Sequence, residues 1–159
     1  MHRDLALHPD VATLAFLLGT WEGVGQGTYP TINPFSYREE VHFGHIGKPF
    51  LVYSQRTWSA ADGRPLHGEA GFWRVGPDGR VELVLAHPTG VAEIEEGRLA
   101  GSALELTTRS IGLSSTAKKV TALSRSLTVE GDVLRYTLHM GAVGQPAQQH
   151  LKAELHRVA

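Results

Sequence analysis

The sequence GTWEGVGQGTYPT, at residues 19–31, places four glycines at odd-numbered positions, with a tryptophan between the first two. In a β-strand alternate residues share a face, so these glycines would leave one face bare for another backbone or a flat ligand. A glycine-rich strand also bends sharply, as a sheet must when it closes on itself. The stretch is therefore predicted to be the first strand of a β-barrel. The alternative is a strand whose glycines serve curvature alone.

The composition is typical of one globular domain, which is predicted to span residues 1–159. The chain has 15 basic and 16 acidic side chains, so its charge favours neither nucleic acid nor an anionic membrane as a partner. It has no cysteine, which excludes disulfides and thiolate ligands. The first residues form no apolar signal segment, and no apolar run approaches the ~18 residues of a membrane span. A soluble cytoplasmic protein is predicted.

Hydrophobic spacing predicts one short helix near the N-terminus. In residues 9–18, Val11, Leu14 and Leu17 recur at helical spacing, and the sequence Pro-Asp suits the first turn. Gly19 then ends the helix. A short helix with one apolar stripe is expected to pack as a plug on the end of a larger structure.

The rest of the chain has the pattern of strands separated by short turns. Asp-Gly pairs at residues 62–63 and 78–79 are strong hairpin signals. A polar loop is predicted at residues 110–117. Together with the glycine-rich strand, about ten strands are predicted, the others at residues 37–46, 50–58, 68–75, 81–87, 91–96, 104–108, 119–129, 134–140 and 149–158.

Short connections without helical crossovers join antiparallel neighbours, because parallel pairs need long connections. The predicted fold is therefore all-β: a ten-stranded, mainly antiparallel up-and-down β-barrel of the lipocalin or fatty-acid-binding-protein type, with a short N-terminal helix. A β-sandwich is the alternative. Ten strands make a barrel wide enough for an interior cavity, since about eight strands are just filled by side chains or hold one small ligand.

Four of the nine histidines are candidates for a site inside this barrel. Alternation places His45 and His87 on apolar strand faces, so both are predicted to point into the lumen. Alternation does not decide which face of its strand His67 occupies. His150 falls on the polar face of the last strand, and it reaches the lumen only if the strand is bulged there or if it lies at the barrel mouth. The structural alternative for His45 and His87 is a core histidine bonded to a backbone carbonyl.

Other catalytic patterns are missing from the sequence. There is no His-Glu-x-x-His or cupin-like histidine motif and no Gly-x-Ser-x-Gly frame, and no helix follows the glycines as a dinucleotide site requires. The pairs Glu39-Glu40 and Lys118-Lys119 are predicted to be solvated charges rather than catalytic groups.

The glycine-rich stretch also fits a family signature. Residues 19–25 match the pattern Gly-x-Trp-x-Gly-x-Gly, and Tyr-Pro-Thr at 29–31 continues it. Further matching segments follow in the same order: HIGKPF at 45–50, PLH at 65–67, AHPTG at 86–90, and GQP at 144–146 running on to His150-Leu151. In these segments, which cover nearly the whole chain, the sequence resembles the nitrobindin family.

The resemblance implies a ten-stranded antiparallel barrel that binds one haem b per subunit at its mouth. It places the proximal iron ligand, and hence the catalytic site, at His150, and a haem-contacting residue at Thr31. His67 and His87 would line the cavity on the other side of the porphyrin, with His45 nearby. Members of the family bind nitric oxide and convert peroxynitrite to nitrate on ferric haem, and family habit implies a homodimer.

The function expected from this resemblance is a haem-dependent peroxynitrite isomerase. An apolar cavity with few donors is expected with it, since such a cavity favours rearrangement over the O–O cleavage that thiolate ligation promotes. Two alternatives stay open. One is a haem or nitric oxide carrier or sensor without turnover. The other is a lipocalin-like barrel that holds an apolar small molecule and uses its histidines only structurally.

Overall fold

The computed structural model describes residues 4–159, and most of them form ten antiparallel strands. The strands are β1 Gly19–Tyr29, β2 Ile32–Gly44, β3 Leu51–Ser59, β4 Pro65–Val75, β5 Val81–His87, β6 Val91–Ala100, β7 Ala103–Leu113, β8 Val120–Glu130, β9 Val133–Ala142 and β10 Gln148–Arg157. Each strand pairs with its neighbours in sequence, and β1 pairs with β10 to close the ring.

The predicted barrel is confirmed, and the β-sandwich alternative is wrong, because the pairing of β1 with β10 leaves no open sheet edge. Several strands are longer than predicted. β2 begins at Ile32 rather than at residue 37, and β7 continues to Leu113 through part of the predicted polar loop. Most side chains in these two extra segments are exposed, so no apolar alternation marks them as strand.

The N-terminal helix, Pro9–Leu17, closes one end of the barrel. Its apolar residues Val11, Leu14 and Leu17 are fully buried in the barrel core, as expected of a plug. The helix is of the 3₁₀ type, and the indole nitrogen of Trp21 donates to the carbonyl of Leu17 at 2.8 Å. Within residues 4–159, no helix is long and apolar enough to cross a membrane.

Two glycines of β1 face aromatic rings of β2. A Cβ atom at Gly25 would lie 2.3 Å from the ring of Tyr37, and one at Gly27 would lie 2.2 Å from the ring of Phe35. Both distances are far shorter than van der Waals contact, so only glycine lets these rings pack against β1. The bare strand face predicted from the sequence exists, and the protein's own aromatic rings cover it.

Candidate functional site

The barrel encloses a cavity of about 580 Å³, within the range of small-molecule and cofactor sites. Near the plug it is lined by buried side chains such as Phe43 and Trp73. At the opposite end, where the turn between β1 and β2 lies, exposed side chains such as Ile32 and Leu66 line it. This second end is the mouth of the cavity.

His150 lies at the mouth, in an irregularity of β10. The pairing of β10 with β9 matches Gln149 with His139 and then Leu151 with Leu138. His150 is therefore the extra residue of a β-bulge, and the bulge interrupts the alternation of the strand. Both His150 and Leu151 line the cavity. The sequence predicted that His150 could face the lumen only from a bulged strand or at the barrel mouth. The structure shows both.

Two contacts hold the ring of His150. Its Nδ1 lies 2.9 Å from the carbonyl oxygen of Thr28, and the ring meets that of Tyr29 edge to face, with centroids 5.4 Å apart. A carbonyl only accepts hydrogen bonds, so Nδ1 carries the proton and donates, and neutral imidazole keeps its lone pair on Nε2. Among residues 4–159, Nε2 has no hydrogen-bond partner. The ring is thus prepared to ligate a metal ion through Nε2.

The structure places the other predicted site residues in three different positions. His67 on β4 and His87 at the end of β5 line the cavity, on the wall opposite β10. Thr31 is exposed in the turn beside the mouth. His45 lies at the plugged end, outside the cavity lining, and its Nδ1 accepts from a backbone N–H at 3.1 Å. The inward orientation predicted for His45 is wrong, because β2 ends one residue earlier and strand alternation no longer applies.

The interior also holds a charged cluster. The guanidinium of Arg125, on β8, lies between three carboxylates. Its Nε donates to Glu95, and its Nη2 donates to Glu93 at 3.0 Å. Its Nη1 lies 3.6 Å from an oxygen of Glu69. All four side chains are largely buried. The cavity surface is mostly apolar, as expected, but the expectation of few polar groups is wrong, because inward positions of β4, β6 and β8 carry charged side chains.

The carboxyl groups of this cluster differ widely in pKa. Burial opposes the ionisation of Glu69 and Glu93, but hydrogen bonds and the charge of Arg125 outweigh it and lower both pKa values to about 2. Burial dominates at Glu95, where it outweighs Arg125 and, together with the nearby Glu93, raises the pKa to about 8. At neutral pH the neighbouring pair Glu93 and Glu95 therefore holds one proton, as two buried carboxylates sharing a site usually do.

Glu39 on β2 belongs to the interior as well. It accepts hydrogen bonds from the hydroxyl of Tyr136 and the amide nitrogen of Gln55, both at 2.6 Å, while Glu40 pairs with an arginine on the outer face. The prediction of a solvated charge is therefore wrong for Glu39, because strand alternation sends these adjacent residues to opposite faces. Burial raises the pKa of Glu39 to about 7, although both hydrogen bonds oppose the shift.

This raised pKa predicts a pH-dependent effect of Glu39→Gln. Between pH 4.5 and 7 the folded wild type keeps a proton on Glu39 that the unfolded chain has lost, so its stability falls as pH rises through this window. A glutamine side chain does not ionise, so the stability of the variant relative to wild type should rise by up to about 3 kcal/mol. Urea unfolding at intervals from pH 4.5 to 8 measures the difference.

The matched control is Glu40→Gln, which changes the neighbouring carboxylate on the solvent face of the same strand. Its stability relative to wild type is expected to change much less over the same pH range, since Glu40 pairs with Arg56 on the outer face, where an ion pair contributes little. Parallel pH profiles for wild type and Glu39→Gln would contradict the burial of an ionisable Glu39.

Comparison with known proteins shows which family this barrel belongs to. A family model described as a THAP4-like, heme-binding beta-barrel domain matches residues 10–157. The chain belongs to this haem-binding β-barrel family. The match covers the plug and nearly all of the barrel, so the resemblance to the nitrobindins is confirmed, and so is the expectation of haem as the cofactor.

Similar proteins from mycobacteria match this member of the family over nearly their whole length. Peroxynitrite isomerase 2 of Mycobacterium avium (strain 104) is 61% identical over 155 residues, which are 95% of this chain and 96% of that protein. Peroxynitrite isomerase 1 of Mycobacterium tuberculosis (strain H37Rv) is 57% identical over 164 residues, or 99% of each. The crystal structure of Rv2717c from M. tuberculosis is 55% identical, with a TM-score of 0.91, and the match covers 97% of this chain and 100% of that one.

The side chains at the mouth of this haem-binding barrel fit a haem. The Nε2 lone pair of His150 is the donor that a haem iron takes from a neutral imidazole. Ile32 and Leu66 offer apolar surface at the mouth for a macrocycle, and both are partly exposed. Arg64 lines the same part of the cavity and provides a cation for the carboxylates that a haem carries.

Proposed function

We propose that this chain is a peroxynitrite isomerase that works with one haem b held at the barrel mouth by Nε2 of His150, with Thr31 beside it. The observation that carries the proposal is the His150 ring, whose Nδ1 is bonded to Thr28 and whose Nε2 has no partner in the described part of the chain. The identity of 57–61% to proteins named peroxynitrite isomerase supports the reaction.

Nε2 of His150 would hold the haem, which when bound would supply ferric iron, the chemistry that the rearrangement of peroxynitrite to nitrate requires. Substrate and product have the same atoms and the same charge, so the reaction needs no external electron and no second substrate. The protein's own contribution is to position the ligand that would hold the iron. The hydrogen bond from Nδ1 of His150 to Thr28 fixes the tautomer and direction of the ring, and it makes Nε2 a stronger donor.

The charged interior bears on where this reaction takes place. Behind the mouth, three carboxyl groups face the single guanidinium of Arg125, so the cluster carries an excess of negative charge. Peroxynitrite and nitrate are both anions, and this field repels them from the depth of the barrel. The reaction is therefore expected at the mouth, from which nitrate leaves without crossing the interior.

Stopped-flow measurement of peroxynitrite decay tests the activity. Decay should accelerate in proportion to the concentration of ferric haem-loaded protein, with a matching rise in nitrate yield. The haem-free chain and free haemin at the same concentration are the controls. Decay no faster than with free haemin would refute the isomerase activity and leave haem binding intact.

Nitric oxide is the second small ligand that we propose for the haem-loaded protein. A carrier or sensor without turnover would bind nitric oxide reversibly, with a spectral change, but would not accelerate peroxynitrite decay. The same stopped-flow experiment therefore separates that alternative from the isomerase.

A homodimer and a cytoplasmic location stay predictions. What supports a dimer is an apolar row on the outer face of β3 to β6, in which Val52 pairs with Phe72, and Val84 pairs with both Phe72 and Ile94. Phe72 is 45% exposed and Ile94 is 37% exposed. A second copy of the chain is the partner that we propose for this row.

A further inference from the structure

Three side chains on the wall opposite His150 turn their ligand atoms toward one point. His67 and Glu69 lie on the same face of β4, and His87 ends the adjacent strand β5. Nδ1 of His87 lies 3.1 Å from Nε2 of His67 and 3.3 Å from Oε2 of Glu69, and the last two atoms are 3.8 Å apart. Two imidazole nitrogens and one carboxylate oxygen thus form a compact triangle.

The hydrogen bonds around this triangle leave too few protons at its centre. Nε2 of His87 lies 2.9 Å from Oε2 of Glu93, and a carboxylate only accepts, so neutral His87 has its proton on Nε2 and a lone pair on Nδ1. That lone pair faces Oε2 of Glu69, which is also an acceptor. The single N–H that His67 can place at the centre cannot satisfy both atoms well, so the centre favours an added positive charge: a proton on Nδ1 of His87 satisfies two of the three atoms, and a metal ion satisfies all three.

We propose that His67, Glu69 and His87 form a second, non-haem metal site that takes a divalent transition-metal ion. Two histidines and one carboxylate on one side of an ion, with open positions on the other, are a known ligand set for iron(II), and zinc accepts the same donor types. At metal–ligand distances of about 2.0–2.2 Å, ligand atoms at 90–109° lie about 2.8–3.6 Å apart. Two edges of the triangle fall in this range, and the third exceeds it by about 0.2 Å.

The outer partners that a metal site needs are already in place. The bond from His87 to Glu93 is the carboxylate–histidine pair that fixes the tautomer of a metal-bound imidazole. The hydroxyl of Tyr53 donates to Oε1 of Glu69 at 2.7 Å, which leaves Oε2 for the ion. Since three carboxyl groups surround one guanidinium here, the cluster has negative charge to balance a further cation.

The site is accessible from the mouth without passing through the plug. The side chain of His67 is 33% exposed and that of His87 is 11% exposed, whereas Glu69 behind them is only 5% exposed. An ion that enters the cavity therefore meets the two imidazoles first. The site shares no residue with the His150 centre, so it does not depend on the haem function proposed above.

Cobalt(II) titration of the haem-free, full-length chain tests the site, followed by visible absorption and calorimetry. We expect one ion per chain. His67→Ala and Glu69→Gln should each weaken its binding at least about 10-fold, because each removes one of three ligands. His150→Ala and His156→Ala, the second a solvent-exposed histidine of β10, should bind cobalt as wild type does.

The variants are chosen so that misfolding does not obscure the result. His67 is partly exposed, and a glutamine side chain keeps the shape of glutamate, so both chains should show a cooperative unfolding transition. The inference is overturned if wild type takes up no stoichiometric cobalt, if both variants bind it as tightly as wild type, or if His150→Ala abolishes the binding. Loss of haem in His150→Ala with cobalt binding intact would support both sites independently.

Discussion

Replacing His150 with alanine is expected to weaken haem binding by more than about 100-fold, since even changes to the outer partners of a metal ligand cost 10–100-fold. The imidazole of His150 lies at the mouth with Nδ1 bonded to Thr28, and none of the described residues, 4–159, bonds its Nε2. Its loss removes the proposed protein ligand of the iron and leaves apolar contact with the macrocycle and the cation of Arg64. Titration of the haem-free chain with haemin, followed at the Soret band, measures the effect.

The matched control is His156→Ala. It removes a histidine of the same strand whose side chain is 59% exposed. It should bind haem as wild type does. Added imidazole should partly restore the Soret band of His150→Ala, because it supplies the missing donor in the space left by the side chain. A variant that keeps the wild-type affinity and spectrum would show that the iron is bound elsewhere.

Arg125→Met is expected to lower the free energy of unfolding by about 3–5 kcal/mol at neutral pH, the usual cost of breaking a buried ion pair. Methionine fills a similar volume, but it leaves Glu69, Glu93 and Glu95 in the barrel interior without the guanidinium between them. Chemical denaturation of the haem-free chain in a metal-free buffer measures the loss.

Arg135→Met is the control. The side chain of Arg135 is 51% exposed and pairs with a surface carboxylate, so its removal should cost at most about 1 kcal/mol.

The pH dependence of the stability difference between Arg125→Met and wild type identifies the cause of this loss. In the wild type the pKa values of Glu69 and Glu93 are lowered to about 2, so the stability they contribute is present above their ordinary pKa of 4.5 and is lost as pH falls toward 2. In Arg125→Met the part of this contribution that comes from Arg125 is already missing, while the hydrogen bonds from His67 and His87 remain. The difference between variant and wild type should therefore be largest above pH 4.5 and shrink in acid. A loss independent of pH would indicate a packing effect instead.

The architecture could be predicted because alternation and turn chemistry are local signals. The glycine-rich β1, the Asp-Gly hairpins and the apolar stripe of residues 9–18 each indicated their own element, and short connections left only antiparallel pairing. The inward direction of His150 could not be fixed in this way. It depends on one extra residue in β10 relative to β9, and a pattern within one strand does not reveal its register with a neighbour.

The charged interior was missed for a different reason. Glu93 and Glu95 alternate with Val91 on β6, and Glu39 alternates with Tyr37 and Val41 on β2, so each shares a strand face with apolar residues. A shared face does not by itself predict a buried carboxylate, because one without a partner cation is very costly. The compensating cation is Arg125, which lies about 30 residues further along the chain from Glu95. Only the closed barrel brings these side chains together.

The most direct test of the proposed haem site is a crystal structure of the full-length chain reconstituted with haem. It should show the iron bonded to Nε2 of His150, with Nδ1 still donating to the carbonyl of Thr28 and the porphyrin at the barrel mouth. Iron bonded to His67 or His87, or a His150 ring turned away from the cavity, would contradict it.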